Sequence, residues 1–179
     1  VELPTALRDA AMTVSDAVPI GIDLGTCNTC ASAVVGGKPR VLPTRAGPNT
    51  VPSVVALGPG GNILVGHAAA KRLVLNPETT VYGSKRLIGR TYTDEVATQY
   101  QRHFAYRLIE TPDHRFGAAL GGLTISMEQV ATYLLTDVRA VAEEHLGKRI
   151  AHAVITCPAY FSEVQRDAVR EAGRKAGLN

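Results

Sequence analysis

Residues 19–35 read PIGIDLGTCNTCASAVV, and the fold turns on how they are understood. Pro19 to Leu24 and Cys30 to Val35 are short apolar segments around a five-residue Gly/Thr/Asn turn, which is the pattern of a β-hairpin. The turn carries two competing signatures. Cys27 and Cys30 form a C-x-x-C, as in a redox dithiol or half a zinc site. Asp23 leads into Gly25, Thr26, Cys27 and Asn28, an acidic residue followed by a small, polar turn of the kind that suits phosphate. A redox C-x-x-C needs its first cysteine at a helix N-terminus, where the dipole lowers the thiol pKa, whereas this motif runs straight into a strand. Structural zinc needs four ligands, and the remaining Cys157 and the histidines at 67, 103, 114, 145 and 152 have no ligand spacing. Two small residues packed in a hairpin account for the cysteines. For phosphate, successive backbone N–H groups and hydroxyls would form the concavity, with Asp23 at the strand end to hold a hydrated magnesium ion. An ordinary turn fits these local residues equally well.

Working outward, Arg40 to Leu42, Ser53 to Leu57 and Asn62 to Val65 extend a β-rich opening, each bounded by Gly or Pro. His67 to Leu75 favours a helix that ends before Asn76-Pro77. Asp94 to His103 is predicted helical, with strands at Phe104 to Ile109 and Arg115 to Leu120. Ser126 and Gln129 form a capping box before apolar positions Met127, Val130, Leu134, Val138 and Val141, so a five-turn helix is predicted up to Gly147. Ile150 to Cys157 is a predicted strand ended by Pro158, and a second capping box, Ser162 to Gln165, opens a helix through Ala176. The order of elements predicts a mixed α/β domain.

A chain of 179 residues with 45% hydrophobic residues can bury one core. Its net charge of +3 is spread along the chain and gives no argument for nucleic acid. No apolar run approaches the roughly 20 residues that cross a bilayer. Three cysteines cannot close a disulfide framework, so cytoplasmic thiols are expected. Residues 1–18 are expected to be a mobile leader. The last residues follow a helix where an α/β fold would return to its sheet, so the chain is expected to be cut within a domain.

Lys85 supplies a compact cation suited to a terminal phosphate and an attacking water, with a solvated surface charge beside Arg86 as the competing reading. Four collinear segments give these residues a context: IGIDLGTCNTC (Ile20 to Cys30), VPS (Val51 to Ser53), NPETTVYGSKRLIGR (Asn76 to Arg90) and AVITCPAYFSEVQRDAVREAGRKAGLN (Ala153 to Asn179). Together they resemble the seventy-kilodalton heat-shock chaperones, the DnaK-type family, from about residue 19 to the end.

The resemblance implies the actin-like ATPase fold with its ribonuclease-H-like core, of which this chain would be the first lobe, incomplete. It divides residues 19–179 into a core of 19–52 and 126–179 and an inserted subdomain of about 53–125. It implies ATP, Mg2+ and K+ as ligands. Asp23 matches the aspartate of the metal shell, Gly25, Thr26, Cys27 and Asn28 the first phosphate hairpin, and Lys85 the catalytic lysine. Pro158 and Arg166 match a proline switch and its arginine relay to a substrate-binding domain. The implied partners are unfolded polypeptide clients, a J-domain cochaperone and a nucleotide-exchange factor. Two positions depart from the pattern: Cys27 stands where the family usually has a second threonine, and Cys157 where it has valine. The expected parent is an ATP-driven chaperone, and this piece, lacking the other side of the cleft, is expected not to turn over. A lobe that binds nucleotide or a partner without cycling is the alternative. Another actin-like ATPase, such as a sugar kinase, would share the hairpin but not KRLIGR or CPAYF.

Overall fold

The computed structural model describes residues 18–179, so the leader expected over residues 1–18 lies outside the described residues, Val18 apart. The hairpin is present as β1 (Ile20–Leu24) and β2 (Asn28–Val35), paired antiparallel from Gly21 opposite Ser32 to Leu24 opposite Thr29. Its turn is three residues, Gly25–Cys27, rather than the five expected, because β2 begins at Asn28. Period-two alternation buries Ile20, Ile22 and Leu24 against Ala31 and Ala33 and sends Asp23 to the opposite, exposed face.

Two further strands pair with β2: β3 (Lys38–Val41) along its second half and the two-residue β4 (Val51–Pro52) at its start. On the other side of β1 lies β11 (Ala153–Ile155), parallel, with Ile20 opposite Ala153 and Ile22 opposite Ile155. This strand is shorter than the predicted span of Ile150 to Cys157. The Ile150 amide is taken by the Glu143 carboxylate at 2.9 Å, and Ala151 and Ala153 exchange backbone hydrogen bonds with Asn179.

Two three-stranded antiparallel sheets come from the middle of the chain. In one, β5 (Val54–Leu57) lies between β6 (Ile63–Val65) and β7 (Thr80–Tyr82). In the other, β9 (Phe116–Leu120) lies between β8 (Arg107–Glu110) and β10 (Leu123–Ser126). The sequence reading missed β10. A two-residue Gly121-Gly122 turn, both at positive φ, makes the hairpin, and Ser126 ends the strand and caps the next helix at once.

Helix α1 (His67–Ala70) stops five residues short of the prediction. Leu73 still packs on the core, but Val74 and Leu75 are 87% and 77% exposed, so the end of that stretch rests on nothing and is too short to stand alone. Thr93 caps α2 (Asp94–Gln101) by accepting from the Val96 amide. Both predicted capping boxes form. Ser126 and Gln129 open α3 (Met127–Leu146), which ends at Gly147 in the left-handed region, and Ser162 and Gln165 open α4 (Glu163–Lys175). α4 closes in a Schellman motif, with Leu178 N–H to Gly173 O at 2.9 Å and Gly177 N–H to Arg174 O at 2.9 Å. Met127, Val130, Leu134 and Val138 of α3 join Ile22, Leu87, Tyr106 and Phe116 in one core. The result is mixed α/β, as expected. No helix among the described residues is long and apolar enough to cross a membrane.

Candidate functional site

The site is built around the turn between β1 and β2. A Cβ on Gly25 would collide with the Asn28 carbonyl, so this tight reversal excludes any larger residue. Ser53, just past β4, braces it twice: its hydroxyl donates to Gly25 O at 2.8 Å and its amide donates to Cys27 O at 2.8 Å. Thr29, fully buried, meets the Ser53 hydroxyl at 2.9 Å. The carbonyls of the turn are thus tied inward. The Thr26 and Cys27 N–H groups donate to no acceptor among the described residues, an arrangement that suits an anion.

Asp23 stands beside this turn, and its Oδ1 accepts a hydrogen bond from the Thr156 hydroxyl at 2.7 Å. Thr156 directly follows β11 and is fixed by its own amide, which donates to Ile22 O at 2.9 Å. Among the described residues no three His, Cys, Asp or Glu side chains cluster as a direct metal site. A lone, exposed carboxylate with one oxygen already engaged fits a hydrated cation rather than a bare one.

Lys85 reaches the same place from the middle of the chain. It sits in a 3-10 turn, Ser84–Arg86, entered through Gly83 at φ 66°. Burial lowers its pKa from the ordinary 10.5, and the Asp23 carboxylate and Cys157 oppose that shift. Its ammonium lies 5.9 Å from the centre of the Phe161 ring. Behind it, Leu87 and Ile88 are buried and three side chains hold the backbone. Gln165 Nε2 donates to Ile88 O at 3.2 Å, Arg115 Nη1 donates to Gly89 O at 2.7 Å, and Gly89 N–H donates to Glu128 Oε1 at 3.1 Å.

Pro158 and Arg166 meet through Phe161. Arg166 Nη1 donates to Phe161 O at 2.6 Å, the Phe161 amide donates to Pro158 O at 3.0 Å, and Glu163 accepts from Arg166 Nε at 3.1 Å. Phe161 therefore touches the arginine through its carbonyl and the lysine through its ring. Cys157 sits between these cations; burial raises its thiol pKa, against the pull of Lys85, Arg166 and Arg170. All three cysteines are free thiols.

Asp23 and Lys85, distant in sequence, thus face each other beside the turn, while Pro158 and Arg166 join them only through Phe161, whose ring lies over Lys85. Asn28 is exposed at the first position of β2, opposite Pro52. Four supporting residues escaped the sequence reading: Thr29, Ser53, Thr156 and Phe161. A hydroxyl at an inward-facing strand position was the available signal for Thr29, and Ser53 lay inside a quoted motif without a role.

A family model described as Hsp70 protein matches residues 19–179. The mitochondrial heat shock 70 kDa protein of Pisum sativum is 41% identical over 160 residues, which is 89% of this chain and 24% of that protein. The chain therefore spans about a quarter of the length of the curated relative it matches. With the matched region running through the turn, the Lys85 arm and the Phe161 loop, this chain belongs to the Hsp70 family.

Proposed function

We propose that the chain is the first lobe of an actin-like ATPase domain whose parent couples ATP binding and hydrolysis to the capture and release of unfolded polypeptides. The observation that carries this reading is the convergence of Lys85 on Asp23 beside a turn with unclaimed N–H groups. In it, Gly25, Thr26, Cys27 and Asn28 cradle phosphate oxygens, the backbone amides doing the work where Cys27 lacks the threonine hydroxyl. Asp23, aimed by Thr156, would hold the water shell of a bound Mg2+, and K+ is the second cation of the same proposal. When bound, Mg2+ would offset phosphate charge. Lys85 presents its ammonium to the terminal phosphate and steadies the attacking water, and its partial burial strengthens that interaction.

Arg166 fixes the Phe161 carbonyl and Phe161 fixes Pro158, which supports a relay from the phosphate site to a peptide-binding domain. The wider division into a core of 19–52 and 126–179 with an insertion at 53–125 belongs to the same proposal, as do the J-domain cochaperone, the nucleotide-exchange factor and a cytoplasmic location. A phosphate clamp needs donors from both sides of a cleft, so the piece alone is expected to bind ATP weakly or not at all and not to turn it over.

The test is Lys85→Ala in the full-length parent. Loss of one charge-assisted contact in the transition state, about 1.5–3 kcal/mol, should lower kcat by about 10- to 200-fold while ATP still binds. Unchanged turnover would remove Lys85 from the mechanism. Arg166→Ala should leave hydrolysis in place and uncouple ATP from peptide release.

A further inference from the structure

A cavity of about 400 Å3 lies between the turn and residues from the middle of the chain. Its size suits a molecule of two or three rings. Thr26 and Cys27 form one end, and Val54 and Leu73 line it with aliphatic surface. Tyr82 and Phe104 supply aromatic faces, their centroids 5.5 Å apart and their planes inclined at 68°.

These rings are fixed before any ligand arrives. Phe104 stacks on Tyr106 at 4.8 Å, Tyr106 OH donates to Tyr82 O at 2.8 Å, and the Tyr82 hydroxyl donates to His103 O at 3.2 Å. Gly83 lets the backbone pass close: its φ is 66° and a Cβ there would come within 3.0 Å of the Phe104 ring. An aromatic wall held this way loses little freedom on binding.

At the rim stand Arg86 and His103. Arg86 forms no ion pair and no side-chain hydrogen bond among the described residues, unlike the arginines of α4, each of which pairs with a carboxylate. Its neighbour Lys85 answers to Asp23, while Arg86 lines this cavity. No carboxylate lines the cavity.

We propose that this cavity is a ligand site distinct from the Asp23–Lys85 centre and that it takes a small aromatic anion. The ring system packs on Tyr82 and Phe104 and the acidic group pairs with Arg86. The occupant would touch Thr26 and Cys27 and so stiffen the turn. Cys27 is an exposed thiol on the cavity wall, which makes occupancy directly readable.

The probe is 1-anilinonaphthalene-8-sulfonate, with its uncharged relative N-phenyl-1-naphthylamine as control, titrated into the chain by fluorescence and calorimetry. Iodoacetamide alkylation of each cysteine is followed in parallel by peptide mass spectrometry. The expected result is one-to-one binding of the sulfonate and slower alkylation of Cys27 but not of Cys157. In Arg86→Gln, affinity for the sulfonate should fall by roughly tenfold while the neutral relative binds as before. Arg86 is exposed, so that variant should fold. An unchanged Cys27 rate at saturating probe, or equal sulfonate affinity in Arg86→Gln, overturns the assignment. Displacement of the probe by ATP, mole for mole, overturns the claim that the site is distinct. None of these readouts depends on ATP hydrolysis, so the proposal can fail while the ATPase reading stands.

Discussion

The two sides of the candidate site are held by different means. Asp23 and its partner Thr156 sit at the ends of adjacent parallel strands, where backbone register sets their positions. Lys85 sits in a short 3-10 turn with no strand of its own, and its place depends on side chains borrowed from α3, α4 and the loop before β9. The first side is stiff because a sheet is stiff. The second is only as well placed as the packing behind it, and that makes it the side that can be moved.

Breaking the borrowed support should produce the largest effect. Gly89 has φ 69°, and a Cβ there would lie 2.7 Å from Gln165 Cα. Gly89→Ala combines left-handed strain with backbone overpacking, so a loss of about 2–4 kcal/mol is expected in denaturant unfolding. Any folded fraction should show altered Lys85 reactivity with Asp23 and Thr156 undisturbed by NMR. A variant as stable as the parent would mean that the Lys85 arm is not clamped as described.

Ser53→Ala tests the sheet side and should cost less. It leaves Gly25 O without its donor and removes the partner of the buried Thr29 hydroxyl, at about 1–3 kcal/mol. The amide at position 53, which donates to Cys27 O, should then exchange faster with solvent, while Lys85 keeps its reactivity. If Lys85 changed instead, the two sides would not be independent.

The smallest effect tests the contact between the sides. Asp23 raises the Lys85 pKa against the larger lowering by burial, so Asp23→Asn should lower it further. Amine acylation of Lys85, followed against pH, should begin at lower pH in the variant than in the parent. The sign for stability follows from the same shift. A lysine with a folded pKa below its unfolded value of 10.5 destabilises the fold while charged, and that cost is relieved as pH rises from the folded pKa toward 10.5. In Asp23→Asn this relief should start earlier. Superimposable acylation profiles would mean that the aspartate does not face the lysine.

The division between the two sides also explains what the sequence could convey. The hairpin, both capping boxes and the outward position of Asp23 follow from local rules, namely period-two alternation and Ser-x-x-Gln before an apolar run. The collinear motifs then brought in Lys85, Pro158 and Arg166 through family resemblance. Locally, Lys85 read better as a surface charge, because what lowers its pKa comes from tertiary neighbours. Thr156 was invisible for the same reason: its hydroxyl acquires a role only when β11 lies beside β1. The overlong α1 shows the reverse failure, where good helical propensity ran beyond the surface there was to pack against.

The Thr156–Asp23 hydrogen bond joins residues 133 positions apart, and the register of β11 on β1 spans the same separation. The hairpin and its turn can form from neighbouring residues, whereas the carboxylate finds its partner only after the intervening chain has collapsed. Loop closure over such a distance is slow compared with hairpin formation. The Asp23–Thr156 edge of the site is therefore assembled after the turn beside it. During synthesis Asp23 must wait, exposed and unpaired, until Thr156 has been translated.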